Sequence, residues 1–336
     1  MYPTKPNRSF LYLCLLLSVL TVCQPTTEPL TDVVACAPML EGRTSAIGFS
    51  VGGKCYVLGG RKSDGTYTNT LFCYDPATNQ WTDCGETPLR ARVKGIAAVQ
   101  GEKVYVGLGY AGEPKTDSTH YLRDWWLYSP SDNIWKRCAD YPSKCSNSPI
   151  VMADDHHLFV GWGVAYQERM TREIYRYDPL SDQWTRMKEE GRMTPERVQA
   201  AVGSACQERY FVGTGHRHDS KDTWYEMLPT DKAIQWKKCA HIPFGGRCLS
   251  TITTAKQYLY LFGGRKFGGT LTDGKVYQDI LRYDTQGDQW QYVAALPSSE
   301  TENMIAVTVG ETVFFGGGND KYNTVLNGWY KLLSIP

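Results

Sequence analysis

The feature that most constrains this chain is a residue pattern that occurs four times almost unchanged and a fifth time in degenerate form. Each complete copy has an apolar run ending in glycine, then a loop, a tyrosine, and a tryptophan seven positions after the tyrosine. The four complete copies are Gly60, Tyr74 and Trp81; Gly109, Tyr128 and Trp135; Gly163, Tyr177 and Trp184; and Gly264, Tyr283 and Trp290. A fifth copy carries Met227 in the tyrosine position, before Trp236. The tryptophans are 54, 49, 52 and 54 residues apart, and a period of this length is typical of a β-propeller.

The glycine pair, tyrosine and tryptophan resemble the kelch repeat, and the resemblance runs from about Arg43 to the end of the chain. It implies an all-β fold with four antiparallel strands, called a to d, in each radial blade. In the first blade, strands a, b and c are predicted at residues 46–50, 55–58 and 70–74, and strand d begins at Trp81. Proline and Asx residues between strands c and d favour the turn that joins them.

The last blade is predicted to be completed from the other end of the chain. A sixth blade begins near Met304 and has its third strand at Trp329, but the chain stops at Pro336 without a fourth strand. Residues 33–40 repeat the register of the first blade's fourth strand. We therefore predict a six-bladed kelch β-propeller over residues 31–336, closed by an N-terminal strand that removes an open sheet edge. Deleting residues 31–40 is expected to destabilise it markedly.

The N-terminus, residues 1–23, is predicted to be a signal peptide. Lys5 and Arg8 precede an apolar run at residues 10–22, which is too short and wrongly flanked for a stable transmembrane helix. A short linker, residues 24–30, follows.

A lipid anchor is one outcome of this signal. Residues 20–23 resemble a bacterial lipobox with Cys23 as the acylated residue, although Val22 departs from the small residue usual there. Ordinary secretion is the alternative, and the intact mass of the mature protein distinguishes the two. We expect an exported, monomeric protein in the periplasm or attached to the outer membrane through its lipid.

Charge and cysteine content exclude some classes of function. The formal net charge of +1 provides no basic field for nucleic acid. Eleven cysteines invite a disulfide interpretation, but four recur three residues after the tryptophan position, where the remaining two copies have Met187 and Val293. These four are Cys36, Cys84, Cys138 and Cys239. We predict a buried apolar position rather than metal or redox chemistry, expect no cofactor or metal, and retain Cys55 with Cys73 as a pair to test for a bridge.

A recurring arginine is the first candidate for ligand binding. Aligning the repeats on their glycines puts Arg43, Arg92 and Arg247 in one position, with Arg197 one residue away. Such arginines could form a ring at the mouth of the central channel and grip an anion such as a carboxylate. The alternative is that each arginine belongs to the repeat and bonds nearby loop carbonyls.

Aromatic and histidine residues in the loops between strands b and c are further candidates. Tyr121 and Tyr166 in these loops, with Trp162 in a glycine motif, suit stacking on a sugar, or they simply pack the loops. His216 and His218 could supply a metal-ligand pair or a general base, or form an ordinary polar loop.

One acidic position at the start of strand c also recurs, as Asp124, Glu173 and Asp279. These carboxylates could serve acid–base chemistry, or each could tie down the loop of its own repeat.

The leading hypothesis is an exported kelch binding module for a small anionic or carbohydrate ligand, or a protein partner, at the channel mouth. The alternative is an enzyme. The architecture resembles exported bacterial kelch proteins that include N-acetylneuraminate epimerases, which implies mutarotation of sialic acid, but no catalytic residue can be assigned by motif. A structural or interaction protein of the cell envelope is the third interpretation, because fold alone does not determine function.

Overall fold

The computed structural model describes residues 28–112, 118–268, 274–297 and 299–333. The predicted signal peptide, Cys23 and the first part of the predicted linker lie outside these residues. In the described ranges, no helix is long and apolar enough to cross a membrane.

The chain is built from short strands and two 3₁₀ turns, Ser118–His120 and Tyr166–Glu168. The first half contains β1 Val33–Ala35, β2 Ile47–Val51, β3 Lys54–Leu58, β4 Thr70–Asp75, β5 Gln80–Glu86, β6 Ile96–Gln100, β7 Lys103–Gly107, β8 Trp125–Ser129, β9 Ile134–Cys138, β10 Ile150–Ala153, β11 Leu158–Gly161, β12 Val164–Ala165, β13 Arg169–Met170, β14 Ile174–Asp178, β15 Gln183–Arg186 and β16 Lys188–Glu189. The second half contains β17 Val202–Cys206, β18 Arg209–Gly213, β19 Trp224–Pro229, β20 Ala233–Lys238, β21 Thr251–Ala255, β22 Tyr258–Phe262, β23 Arg265–Phe267, β24 Gly274–Val276, β25 Asp279–Asp284, β26 Gln289–Ala295, β27 Thr301–Glu302, β28 Ile305–Val309, β29 Thr312–Gly316, β30 Asn319–Asp320 and β31 Trp329–Leu332.

These strands form six antiparallel sheets, as the repeat predicts. Blades 1, 2, 3 and 5 are β2-β3-β4-β5, β6-β7-β8-β9, β10-β11-β14-β15 and β21-β22-β25-β26. Blade 4 is β17-β18-β19-β20, with β16 added in parallel at its outer edge. The first strands of neighbouring blades contact one another in a closed circle and therefore surround the central axis.

Blade 6 is completed by the N-terminal strand. Its order is β28-β29-β31-β1, and β1 pairs antiparallel with β31, Val33 opposite Leu332 and Ala35 opposite Tyr330. This confirms the six-bladed propeller and its closure, with a closing strand shorter than the predicted residues 33–40.

The repeated tyrosine and tryptophan fasten a blade to the one before it. In blade 1 the Tyr74 hydroxyl donates to Oδ1 of Asn79 (2.8 Å), and the same oxygen accepts the backbone N–H of Ala37 from blade 6 (2.8 Å). The indole of Trp81 donates to the carbonyl of Ala37 (2.9 Å). Blades 3 and 5 repeat these bonds with Tyr177, Asp182, Trp184 and Ala139, and with Tyr283, Asp288, Trp290 and Ala240. The tryptophan and the Asn or Asp two residues before it thus bind the backbone of one residue in the neighbouring blade, and the tyrosine holds that Asn or Asp in place.

The glycines that end strand b are required by close approach of the backbone. A Cβ on Gly107 would lie 2.1 Å from the carbonyl oxygen of Asp124. Gly109 has φ of +97°, and its Cβ would lie 2.5 Å from the carbonyl oxygen of Val93. Both contacts are closer than any side chain tolerates, and the positive φ independently favours glycine.

The cysteines of blade 1 do not form the bridge that the sequence left open. Cys55 is opposite Tyr74, whereas Cys73 is opposite Tyr56, so the two thiols project from opposite faces of the sheet. All nine cysteines in the described ranges are free.

The recurring cysteine position is only partly the buried site that we predicted. Cys239, Met187 and Val293 are buried, but Cys84 is exposed. The prediction is wrong for Cys84 because β5 is the uncovered outer edge of blade 1.

Candidate functional site

The mouth of the central channel is made largely of backbone. The residue two positions before each inner strand has a left-handed φ between 51° and 57°, and these residues are Ser45, Lys94, Ser148, Ala200, Leu249 and Asn303. At five of these six positions the backbone N–H donates to the carbonyl of the equivalent residue in the preceding blade, for example Lys94 to Ser45 (2.8 Å) and Ser45 to Asn303 (3.0 Å). The rim is therefore built of backbone that is bonded from blade to blade.

The channel inside this ring is lined by uncharged residues. A cavity of about 230 Å³ is lined by the first residues of the inner strands of all six blades, among them Ile47, Ile150 and Ile305. None of its lining residues is charged. The channel wall therefore does not provide the anion-binding ring that the arginine register had suggested as one alternative.

Three of the four predicted arginines lie inside the protein. Arg92 is 1% exposed and donates to both carboxylate oxygens of Asp124 (2.8 and 2.6 Å) and to the carbonyl of Leu108 (3.0 Å). Arg247 is 0% exposed and pairs with Asp279 in the same way.

Arg43 is buried too. It donates to the carboxylate of Glu41 and, because blade 1 has Thr70 in place of the acid of strand c, to the hydroxyl of Thr70 (2.7 Å). Each of the three guanidinium groups ties its blade's c strand to the preceding loop, which is the structural alternative stated for this position.

Asp124 has a titration behaviour that reflects this pairing. Burial raises the pKa of its carboxyl group, but hydrogen bonds and charge from Arg92 and the indole of Trp126 outweigh burial. The net pKa is lowered from its usual value, so Asp124 is an ion-pair partner rather than a proton donor near neutral pH.

Trp162, His216 and His218 differ in how far they are exposed to solvent. Trp162 is 2% exposed and packs in the core between blades 3 and 4, against Trp236. His216 is half-buried against the ring of Phe267 (4.9 Å between centroids), and burial lowers the pKa of its imidazole. His218 is exposed in the loop that follows. In the described part of the chain, no group of three or more His, Cys, Asp or Glu side chains could hold a metal ion.

The remaining predicted residues, Tyr121, Tyr166 and Arg197, meet in one large groove over blade 3. Its cavity measures about 1170 Å³. We call it the blade-3 groove, and its walls come from four segments: the end of blade 2's b–c loop, the blade 2–3 connection, blade 3's own b–c loop with the start of β14, and the blade 3–4 connection.

Two departures from the repeat coincide with the groove. Ser146 occupies the recurring arginine position in blade 3, so Glu173, in the recurring acidic position, pairs instead with Arg186 (2.7 Å). Strand β15 also ends early, and the chain crosses to pair Lys188 and Glu189 with the outer edge of blade 4. Because of Ser146, blade 3 lacks the buried guanidinium that blades 1, 2 and 5 have. Because of the crossing, residues 188–189 pair with blade 4 and not with blade 3.

The groove is strongly basic. Seven cationic residues line it, against two acidic residues, and the cations are Arg123, Lys144, Arg169, Arg172, Arg186, Lys188 and Arg197. Both acids have guanidinium partners, since Glu189 accepts two bonds from Arg172 (3.0 and 2.8 Å) and Glu173 pairs with Arg186.

Four of these cations have no carboxylate partner among the side chains that the structure describes, and they are Arg123, Lys144, Arg169 and Arg197. Arg123 is oriented by a bond from Nε to the carbonyl of Tyr141 (2.7 Å). Unpaired positive charge in a concave site raises the local concentration of anions.

Most of these groove residues were missed at the level of sequence, although one signal existed. Pro142 follows Cys138 by four positions, whereas Pro195 follows Met187 by eight. This insertion marks the connection that leaves blade 3 for blade 4. It cannot show which side chains face the cavity, because that depends on where the inserted chain packs.

Comparison with known proteins gives the family. A family model described as the KLHDC2/KLHL20/DRC7 Kelch-repeats domain matches residues 17–215, more than half of the chain. The chain belongs to the kelch-repeat family. This kelch propeller is similar to mouse Kelch-like protein 35, with 25% identity over 247 residues, 74% of this chain and 38% of that protein.

A bacterial relative is N-acetylneuraminate epimerase of Haemophilus influenzae (strain PittEE), 24% identical over 247 residues, 62% of each chain. The kelch propeller thus spans 38% and 62% of the lengths of these two relatives. A solved structure of YjhT superposes with a TM-score of 0.71 at 15% identity, covering 89% of this chain and 99% of that one. This likeness concerns the fold.

Proposed function

We propose that this kelch propeller is a binding module and that its blade-3 groove holds an anionic carbohydrate. The observation that carries the proposal is the convergence of Tyr121, Tyr166 and Arg197 on one large groove, beside cations that lack a carboxylate partner. All three residues are among those that the sequence predicts to bind a ligand.

The groove chemistry suits such a ligand. Arginine and lysine donate charge-assisted hydrogen bonds to carboxylates, and arginine can do so with two parallel bonds. Tyr121, Tyr166 and Tyr175 add aromatic surface to the same lining, where the C–H face of a sugar ring can pack.

A thermal-shift comparison of galacturonic acid, N-acetylneuraminic acid and glucose tests the proposal, because a ligand of the native state raises the melting temperature. We expect shifts with the two acids and smaller or absent shifts in the Lys144→Ala and Arg197→Ala variants. Lys103→Ala, which removes a cation from the a–b turn of blade 2, is the matched control. Equal shifts in all variants would place binding elsewhere and reject the groove.

A second candidate is mutarotation of N-acetylneuraminate, which the bacterial relatives named N-acetylneuraminate epimerase favour. The groove contains a carboxylate, Glu173, whose Oε2 accepts a bond from the Tyr175 hydroxyl at 3.3 Å. Anomer exchange needs a proton taken from the anomeric hydroxyl and one given to the ring oxygen, and a carboxylate can serve as the base. NMR exchange spectroscopy of N-acetylneuraminate tests this, and a rate equal to that in buffer would exclude it.

Export, the lipid on Cys23, the monomeric state and a protein partner stay predictions of this proposal. The mass of the mature protein and its sedimentation in solution are the measurements that test the first three.

A further inference from the structure

We propose that the ligand of the blade-3 groove is an acidic oligosaccharide of several units that bears carboxylates along its length. This inference rests on the proposed function and names the class of carbohydrate. The alternative within that function is a single acidic sugar.

The size of the groove is the first argument. Pockets that enclose a drug-sized ligand have volumes of about 300–1,000 Å³. At about 1170 Å³ the groove exceeds this range, and its lining extends from Ser118 in blade 2 to Arg197 before blade 4. A single sugar would leave much of this surface without contact.

The distribution of charge is the second argument. The cations that lack carboxylate partners come from separate segments: Arg123 from blade 2, Lys144 from the blade 2–3 connection, Arg169 from blade 3's b–c loop and Arg197 from the blade 3–4 connection. One guanidinium balances the charge of one carboxylate and can bind both of its oxygens. Four cations on four segments therefore match several anionic groups that are spaced along one chain.

The acidic residues of the groove do not oppose this charge. The carboxylate of Glu189 accepts bonds from Arg172 and from the indole of Trp236 (3.1 Å), and that of Glu173 is held by Arg186. Each acid is neutralised by a neighbour on the protein, so the remaining field in the groove is positive.

An acidic peptide is the competing macromolecule, and the blade edge argues against it. One way in which an extended peptide binds is by adding a strand to an exposed sheet edge. The outer strand of blade 3 offers only the four residues Gln183–Arg186, after which the chain crosses to blade 4. The side-chain surface, with three tyrosines among its cations, is instead suited to sugar rings.

Isothermal titration with galacturonic acid and its dimer, trimer and tetramer tests the inference, with malto-oligosaccharides of equal length as neutral probes. We expect the tetramer to bind at least about tenfold more tightly than the monomer, because linked groups bind with a high effective concentration. The tetramer's affinity is expected to fall more steeply with added salt, since exposed charges are screened. Neutral chains are expected to bind weakly at every length.

Variants distinguish binding in the groove from non-specific attraction of the acidic ligand to positive charge elsewhere on the protein. The double variant Arg169→Ala/Arg197→Ala is expected to lose most of the gain from length while its melting temperature stays close to that of the parent. Lys103→Ala, on the opposite face, is expected to keep the gain.

The outcomes distinguish the two proposals. Equal affinity for monomer and tetramer overturns the oligosaccharide inference and leaves the proposed function standing. No binding of either acid overturns both. Competition by a glutamate tetrapeptide at equal affinity, lost in the same double variant, overturns the oligosaccharide in favour of an acidic peptide.

Discussion

Blades 2 and 3 carry the same repeat and use it differently. In blade 2 the recurring arginine and acid form a closed, buried pair between Arg92 and Asp124. In blade 3 Ser146 replaces the arginine, Glu173 pairs with an exposed Arg186, and the outer strand leaves for blade 4. The regular blade is sealed, whereas the irregular one opens into a basic groove.

The contrast teaches where to look for function in a repeat protein. A residue that recurs in equivalent positions is explained by a contact that every blade needs, here the fastening of strand c to the preceding loop. A side chain that departs from the repeat is free of that task. Lys144 and Arg169 in the groove belong to the second class, and so does the crossing of the chain from blade 3 to blade 4.

The largest difference between blades 2 and 3 is expected when one arginine is removed from each. Arg92→Ala leaves the buried Asp124 carboxylate without its partner and is expected to lower the free energy of unfolding by about 3–5 kcal/mol. Arg186→Ala removes an exposed pair, in which the arginine side chain is 65% exposed, and is expected to cost about 1 kcal/mol or less. Urea denaturation of both variants measures the difference. Similar costs would mean that the two blades are not organised differently.

The contribution of the Arg92–Asp124 ion pair to stability is expected to decrease as the pH falls. Because the folded-state pKa of Asp124 is lowered, its contribution to stability is present above the unfolded carboxyl pKa of about 3.9 and is lost as the pH falls through the lower folded value. Asp124→Asn cannot titrate, so the gap in unfolding free energy between it and the parent should narrow from pH 7 to pH 3. A gap that is independent of pH would contradict the ion pair. Comparison with the variant is needed because other carboxyls, such as those of Asp154 and Glu226, also have a lowered pKa.

A smaller loss of stability is expected from a substitution at the point where the chain crosses from blade 3 to blade 4. Arg172→Ala frees Glu189 from its half-buried pair and should cost about 1 kcal/mol or less. The local result should be clearer, with faster hydrogen exchange of the Glu190 amide, which bonds to the carbonyl of Ile234 (2.9 Å). Lys188→Ala, which removes an exposed pair with Glu190, is the control. Unchanged exchange in Arg172→Ala would show that this arginine does not hold the crossing.

Much of the fold could be predicted because its signals are local and repeated. The spacing of Tyr74 and Trp81 reports a clamp that acts between adjacent blades, and the truncated sixth repeat indicates closure by β1. Cys84 shows the limit of this reasoning. Its position in the repeat is equivalent to that of the buried Val293, yet the exposure of an outer strand depends on what covers it.

The candidate site was predictable only in part for the same reason. Tyr121, Tyr166 and Arg197 were selected as candidates, but nothing in their spacing shows that they share a cavity. Arg92 and Arg247 were selected too, and they are buried in pairs with their own blades' acids. The residue types were informative, whereas their accessibility depended on the strand paths around them.

The sequence by itself determined the number of blades, the order of strands and the way in which neighbouring blades are fastened. These follow from short-range patterns, because each repeat contacts mainly its neighbours. Only the tertiary structure decided which cations face solvent. That depends on a connection of a few residues crossing from blade 3 to blade 4, and the path of such a connection is set by packing across blades rather than by local preference.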